Sequence, residues 1–352
     1  MKSKIISALK LILPLGFGVF LIWLFYDALC EDQREDLFHA FAIADYKWVV
    51  IAMLLGYASH LSRAWRWRYL LETLGYKKIK FWNAYHALMI GYIINYILPR
   101  AGEASRAGVL AKTENVPFQK GFGSILAERA VDVGMLGIIT GITLLLQYDM
   151  LDAFQIKIDG FSSGSSGCGN SFIFSLLGKI VTWGIILGFS AGVILAIVKK
   201  SFRTKLFDFI KGIIEGGLSI FRTKKKLLFI GHTVFIWVMY ILMFSVVFQS
   251  LETTAALGVD AWLAGFIAGT VGFVIVQGGI GVYPAFVGLI ITVYLNPSAP
   301  GILPEALALG WIIWASQTFM MIILGLISLA INSKNVKLIK DESSEESTAQ
   351  AG

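Results

Sequence analysis

Apolar runs of about twenty residues recur along this chain, each long enough to cross the hydrocarbon core of a bilayer as a helix. A helix at that depth satisfies its own backbone hydrogen bonds, which lipid cannot do. The composition agrees. Of 352 residues, 57% are hydrophobic and 15% charged, and the mean hydropathy is +0.73. The chain reads as an all-α polytopic membrane protein. No linker separates two soluble-sized blocks, so residues 1–332 form one integral membrane domain, followed by a short polar tail over 333–352. From Asp341 onward the tail reads as disordered. The first run, Ile5 to Tyr26, lacks a small-residue cleavage site and reads as a retained helix.

One run is interrupted. Phe81 to Leu98 is apolar and leads into Asn95–Gly108, NYILPRAGEASRAG, which holds Asn95, Pro99, Gly102 and the charges Arg100, Glu103 and Arg106. Broken backbone at membrane depth survives only where protein buries it or water reaches it. Charge at that depth is costly and usually marks a site. A second break, Val276–Pro284, carries Gln277, Gly278, Gly279 and Gly281.

Loop charges set the orientation. Lys2, Lys4 and Lys10 precede the first helix, and Asp27–Lys47 is mostly acidic, which places that loop outside. A helix over about Trp48–Ala64 leads to Arg63, Arg66, Arg68, Lys77, Lys78 and Lys80, interleaved with Trp65, Trp67 and Tyr69. This reads as an interfacial aromatic belt on the inner face. The next strong helix, about Phe122–Gln147, leads into a Gly/Ser/Asp-rich external loop, Tyr148–Asn170. Residues 81–121 must then start and finish inside, as a re-entrant hairpin with its tip near Pro99–Glu103. The second half repeats the plan in the opposite sense. A helix over Phe172–Val198 runs inward, and Thr204–Phe221 lies on the inner interface. A helix over Leu227–Gln249 returns outward, Trp262–Tyr294 forms an external hairpin, and a last helix over about Glu305–Ile331 runs inward.

The expected architecture is thus an inverted-topology repeat, about 8–147 and 172–331, with six full spans and two opposed re-entrant hairpins, about eight hydrophobic segments in all. Both termini would face the cytoplasm. An offset of 179 residues places Gly102 on Gly281. Paired breaks of this kind point to a transport site near the midplane.

Other chemistries find little support. The net charge of +7 sits in short loops and reports orientation, so it is no nucleic-acid signal. Two cysteines and four histidines show no metal-ligand spacing, and no nucleotide or hydrolase motif is present, so no metal, cofactor or enzymatic activity is expected. Cys30 and Cys168 both fall on the outer side, where a disulfide is chemically permitted.

The charged residues around the first break form the candidate site. Arg100 and Arg106, six residues apart, either converge on one anion, or snorkel to the inner interface or only pair with Glu103. A helix restarting near Gly102 would add free N–H groups to an anion site. On the next helix, Glu128 and Asp132 share a face, and Arg129 and Asp132 can pair. These acids either exchange with an incoming phosphate, taking up a proton, or pin the hairpin as a structural ion cluster. The glycines at 278, 279 and 281 suit a hairpin tip with positive φ or a close helix contact.

Three motifs in order carry a resemblance: Asn95, Leu98, Pro99, Gly102, Glu103 and Arg106; then Glu128, Arg129 and Asp132; then Gly278 to Val282. Together they resemble the flippase-like family defined by the transmembrane region of lysylphosphatidylglycerol synthase, over about residues 10–332. Its members include stand-alone polytopic proteins and an archaeal protein of dolichol-linked glycosylation. The full-length synthases carry a soluble aminoacyl-transfer domain after the membrane part. This chain ends about twenty residues after its last helix, so lysyl-lipid synthesis is not expected. In many relatives the second glycine motif continues to a Glu, where this chain has Val282, Tyr283 and Pro284.

The resemblance implies translocation of a lipid or lipid carrier across the cytoplasmic membrane. Arg100, Arg106 and Arg129 would hold its phosphate, and Glu103, Glu128 and Asp132 would be counter-ions and exchange partners. Transport of a small soluble anion, or a helper role beside a glycosyltransferase of lipid-linked glycosylation, are the alternatives.

Overall fold

The computed structural model describes residues 16, 18–20, 22–23, 26–27, 29–98, 101–162, 204, 225–299 and 301–349. The expected helix over Phe172–Val198, all of Thr204–Phe221 but Thr204, and most of the first helix lie outside these residues. Among the described residues the structure is overwhelmingly helical, with no strands. Among the described residues three helices are long and apolar enough to cross a membrane, and a fourth span results if the bent pair Glu31–Ile43 and Tyr46–Thr73 counts as one.

The chain divides into two compact units. The first comprises Met1–Leu55, Val133–Glu215 and Tyr240–Ser316. It contains α1 (Glu31–Ile43), within the stretch read as an external loop. Cys30, just before α1, donates its backbone N–H to Gln33 Oε1 at 3.0 Å and is disulfide-bonded, while Cys168 lies outside the described residues. A core of Phe244, Phe248, Val287, Ile291, Leu309 and Ile313, with Leu37 and Ala40 of α1, holds the unit together.

The second unit comprises Gly56–Asp132, Gly216–Met239 and Gln317–Gly352. It holds most of α2 (Tyr46–Thr73), all of α3 (Phe81–Ile97) and α4 (Gly102–Glu114), and the first half of α5 (Phe118–Leu146). Trp67, Leu71, Ala87, Leu110 and Ile125 form its buried core.

Three expectations need correction. The helix expected over Trp48–Ala64 continues to Thr73 as α2, because Trp67, Leu70 and Leu71 are buried and extend its apolar face. The stretch Tyr148–Asn170, read as an external loop, contains α6 (Leu151–Ser162), whose Phe154 packs edge-on against Tyr294 at 6.3 Å. The last helix, here called α10 (Pro304–Ala349), runs on through the tail read as disordered; residues 333–349 contain neither Pro nor Gly to stop it. Between α6 and α10 lie α7 (Lys226–Val246), α8 (Val259–Ile275) and α9 (Val282–Leu295).

Lys157 of α6 is buried and donates to the Ala299 carbonyl at 2.6 Å. Burial pushes its ammonium down to about 8. The unfolded chain, with a lysine value of roughly 10.4, binds more protons than the folded one between these limits. Stability therefore rises with pH through that window and is flat, for this group, below it. Thermal melts of Lys157→Met should lose this rise; an unchanged pH profile would count against it.

Candidate functional site

Asn95 explains how the chain turns after α3. Pro99 and Arg100 lie outside the described residues, but the turn on either side is clear. Leu98 closes α3 by donating its N–H to the Ile94 carbonyl at 2.7 Å. Helix α4 starts at Gly102, whose N–H donates to Asn95 Oδ1 at 2.8 Å. The side chain at the end of one helix thus caps the start of the next, which satisfies a donor that an α-helix cannot. The first N–H of α4 is therefore not free for an anion. A Cβ on Gly102 would overlap the Gly91 carbonyl and the Asn95 side chain, so only glycine admits this approach. Asn115, in the left-handed region with φ 52°, ends α4.

This turn aims two α4 side chains at α5. Arg106 donates Nη2 to Glu128 Oε2 at 2.8 Å, and Glu103 accepts from Arg129 Nη2 at 3.1 Å. Five predicted residues, Glu103, Arg106, Glu128, Arg129 and Asp132, thus come together. The expected Arg129–Asp132 pair does not form: Arg129 turns to Glu103, and Asp132 is taken by arginines of α2.

Those α2 arginines were missed. Arg63 and Arg66, read as part of an interfacial belt, are buried instead. Arg63 donates Nε to Glu128 Oε1 at 2.9 Å and Nη2 to Asp132 Oδ2 at 2.6 Å. Arg66 pairs through Nη2 with Glu128 Oε1 at 2.9 Å and through Nη1 with Asp132 Oδ1 at 2.8 Å. The i,i+3 spacing on α2 meets the i,i+4 spacing on α5, so each guanidinium bridges both carboxylates. Only the outer part of the belt persists: Trp65 is exposed, with the Arg68 guanidinium 4.5 Å from its ring centroid.

Each buried guanidinium also lies near an aromatic ring. Arg106 sits 3.7 Å from the Trp67 centroid, Arg63 5.9 Å from Tyr92 and Arg66 5.6 Å from Phe229. The rings supply electrostatic attraction without adding charge. Trp67 is fixed in turn by donating Nε1 to Ser124 Oγ at 2.8 Å. Among the described residues, three buried guanidiniums pair with two carboxylates, one positive charge in excess. The Arg129–Glu103 pair beside it is neutral and more open, with side chains 40% and 26% exposed.

The second break belongs to the first unit. Gly278, Gly279 and Gly281 have φ of 71°, 69° and 75°, the positive values expected of the glycine motif. The Gly278 carbonyl accepts from Trp314 Nε1 at 2.7 Å, which anchors the turn to α10. The side chain of Gln277 lies outside the described residues. Close helix packing accompanies the break: a Cβ on Gly310 would meet the Pro284 backbone oxygen at 2.5 Å.

Among known proteins, the UPF0104 membrane protein MJ1595 of Methanocaldococcus jannaschii is 30% identical over 92 residues, 25% of this chain and 27% of that protein. Glycosyltransferase AglD of Haloferax volcanii is 34% identical over 104 residues, 29% of this chain and 16% of that protein. The matched stretches thus cover well under two thirds of either relative. No solved structure matches. The family described as lysylphosphatidylglycerol synthase TM region matches residues 11–325, nearly the whole chain and all of the site above. The chain belongs to the lysylphosphatidylglycerol synthase TM region family.

Proposed function

We propose that this protein translocates a phosphate-bearing lipid, a phospholipid or a polyprenyl-phosphate carrier, across the cytoplasmic membrane, and that it is not itself an enzyme. The observation that carries this reading is the buried cluster of Arg63, Arg66 and Arg106 against Glu128 and Asp132. An excess buried cation in an apolar chain calls for an anionic partner. Arginine forks suit phosphate oxygens, and lipid tails can stay in the bilayer while the headgroup crosses. Family membership supports a link to lipid processes.

In this reading the α3–α4 and α8–α9 breaks are the tips of two opposed re-entrant hairpins in an inverted repeat. The termini face the cytoplasm, and the disulfide at Cys30 supports an outer, oxidising location for its segment. Arg129 and Glu103 form the more open edge of the site, and Arg100 is a further phosphate contact. A helper role beside a glycosyltransferase is the second reading, favoured by the match to a protein named Glycosyltransferase AglD.

The test is transbilayer movement in proteoliposomes. Wild-type protein should move fluorescent phosphatidylglycerol or a short polyprenyl phosphate, but not a neutral diacylglycerol analogue beyond the protein-free rate. Flux of a soluble anion without lipid movement would replace the reading by anion transport. No movement of any probe, under an imposed proton gradient, would favour the helper role.

A further inference from the structure

The two carboxylates of the cluster are not equivalent. Glu128 is 1% exposed and accepts from Arg63, Arg66 and Arg106. Asp132 is 14% exposed and pairs with Arg63 and Arg66, which are 6% and 0% exposed. Its Oδ2 accepts from Arg63 Nη2, while its Oδ1 has no hydrogen bond and lies 2.8 Å from Arg66 Nη1 as an ion pair, that nitrogen donating to Thr233 Oγ1. A phosphate group offers the same pattern: two terminal oxygens sharing negative charge, suited to charge-assisted bonds from guanidiniums. Removing a carboxylate from buried arginines is costly unless another anion takes its place. An exchange of one anion for another avoids that cost, and Asp132 is the less buried of the two carboxylates.

We propose that Asp132 is a tethered anion holding the place of a phosphate group. The incoming phosphate takes over Arg63 Nη2 and Arg66 Nη1, Asp132 turns outward, and Glu128 stays as the fixed anchor of all three arginines. Arg63 and Arg66 are then the phosphate-binding residues. Arg106, whose ion pair is with the anchoring carboxylate, positions Glu128. This rests on the lipid-translocation reading and adds to it the residues that exchange.

The experiment is equilibrium binding to the detergent-purified full chain by calorimetry. The probes are dioctanoyl phosphatidylglycerol, glycerophosphoglycerol and inorganic phosphate. Asp132→Asn removes the tethered competitor and should bind phosphatidylglycerol about tenfold tighter than wild type. Arg66→Lys keeps the charge but loses the fork and should bind about tenfold more weakly. A gain for phosphatidylglycerol and glycerophosphoglycerol identifies a lipid headgroup as the ligand. A gain confined to inorganic phosphate keeps the exchange and assigns it to a free anion.

Unchanged or weaker binding of every probe by Asp132→Asn overturns the exchange, since a purely structural carboxylate would lower stability without raising affinity. If Asp132→Asn does not fold, Arg63→Lys and Arg66→Lys decide, because wild-type affinity in both overturns it. Lipid movement without the affinity gain would leave translocation standing and remove the exchange. The affinity gain without lipid movement would do the reverse.

Discussion

Glu128→Gln should be less stable than wild type by about 3–5 kcal/mol, the cost typical of removing one partner from a buried ion network. Glu128 Oε1 accepts from Arg63 and Arg66, and Oε2 accepts from Arg106. A glutamine keeps the shape but turns one of these acceptors into a donor. Its amide must then face either the Arg106 guanidinium or the Arg63 and Arg66 pair. Three buried guanidiniums would share the single charge of Asp132. The control is Glu103→Gln, which breaks a half-exposed pair with Arg129 and should cost no more than about 1 kcal/mol. Denaturant unfolding in mild detergent reads both. Equal small losses would mean that the cluster is solvated and that its burial has been misjudged.

Gly102→Val should destabilise the protein by about 1–3 kcal/mol or more, the range for overpacking a close contact. A side chain there meets the Gly91 carbonyl and the Asn95 amide, and backbone cannot yield as a side chain tip can. The same change pushes Asn95 away from the N–H that it caps. The α3–α4 turn would open, and Arg106, one turn further on, would move off Glu128. Gly108 lies on the same helix with nothing within 4 Å of an added Cβ. Gly108→Ala should therefore be neutral or stabilising by about 0.5–1 kcal/mol through helix propensity. Equal destabilisation by both would show that α4 tolerates no change at all, rather than that Gly102 makes a specific contact.

The apolar frame was legible because lipid-spanning helices are set by composition over short windows. Phe81–Leu98 appears as α3, Phe81–Ile97, and the break after it restarts at Gly102 as the Pro and Gly positions indicated. The positive φ of Gly278, Gly279 and Gly281 is one of the two conformations the glycine motif left open. The site was only half legible. Glu128 and Asp132 were placed on one face by spacing, as candidate counter-ions for Arg106.

Arg63 and Arg66 were assigned to the interface because they sit among tryptophans at the end of an apolar run, a local argument. Their partners lie 62 to 69 residues further along the chain, and no local rule reaches that far. The available signal was complementarity: two acids on one helical face need cations, and the i,i+3 arginines of α2 supply them in matching register. Asn95 carried a second unread signal, since a polar side chain seven residues before Gly102 stands where a cap is needed. Inside the loop before Asn170, α6 escaped notice because a short amphipathic helix resembles a polar loop in composition.

The most direct test of the central claim is the initial rate of phosphatidylglycerol movement in proteoliposomes for Arg106→Lys against wild type, at equal folded yield. Lysine keeps the charge beside Glu128 but loses the guanidinium plane over Trp67 and the directed bond to Oε2. The account predicts a rate at least about tenfold lower, because an arginine-to-lysine change at a stacked, directed site is not conservative. A wild-type rate in this variant would contradict the account and leave the cluster as a structural pin for the α3–α4 turn.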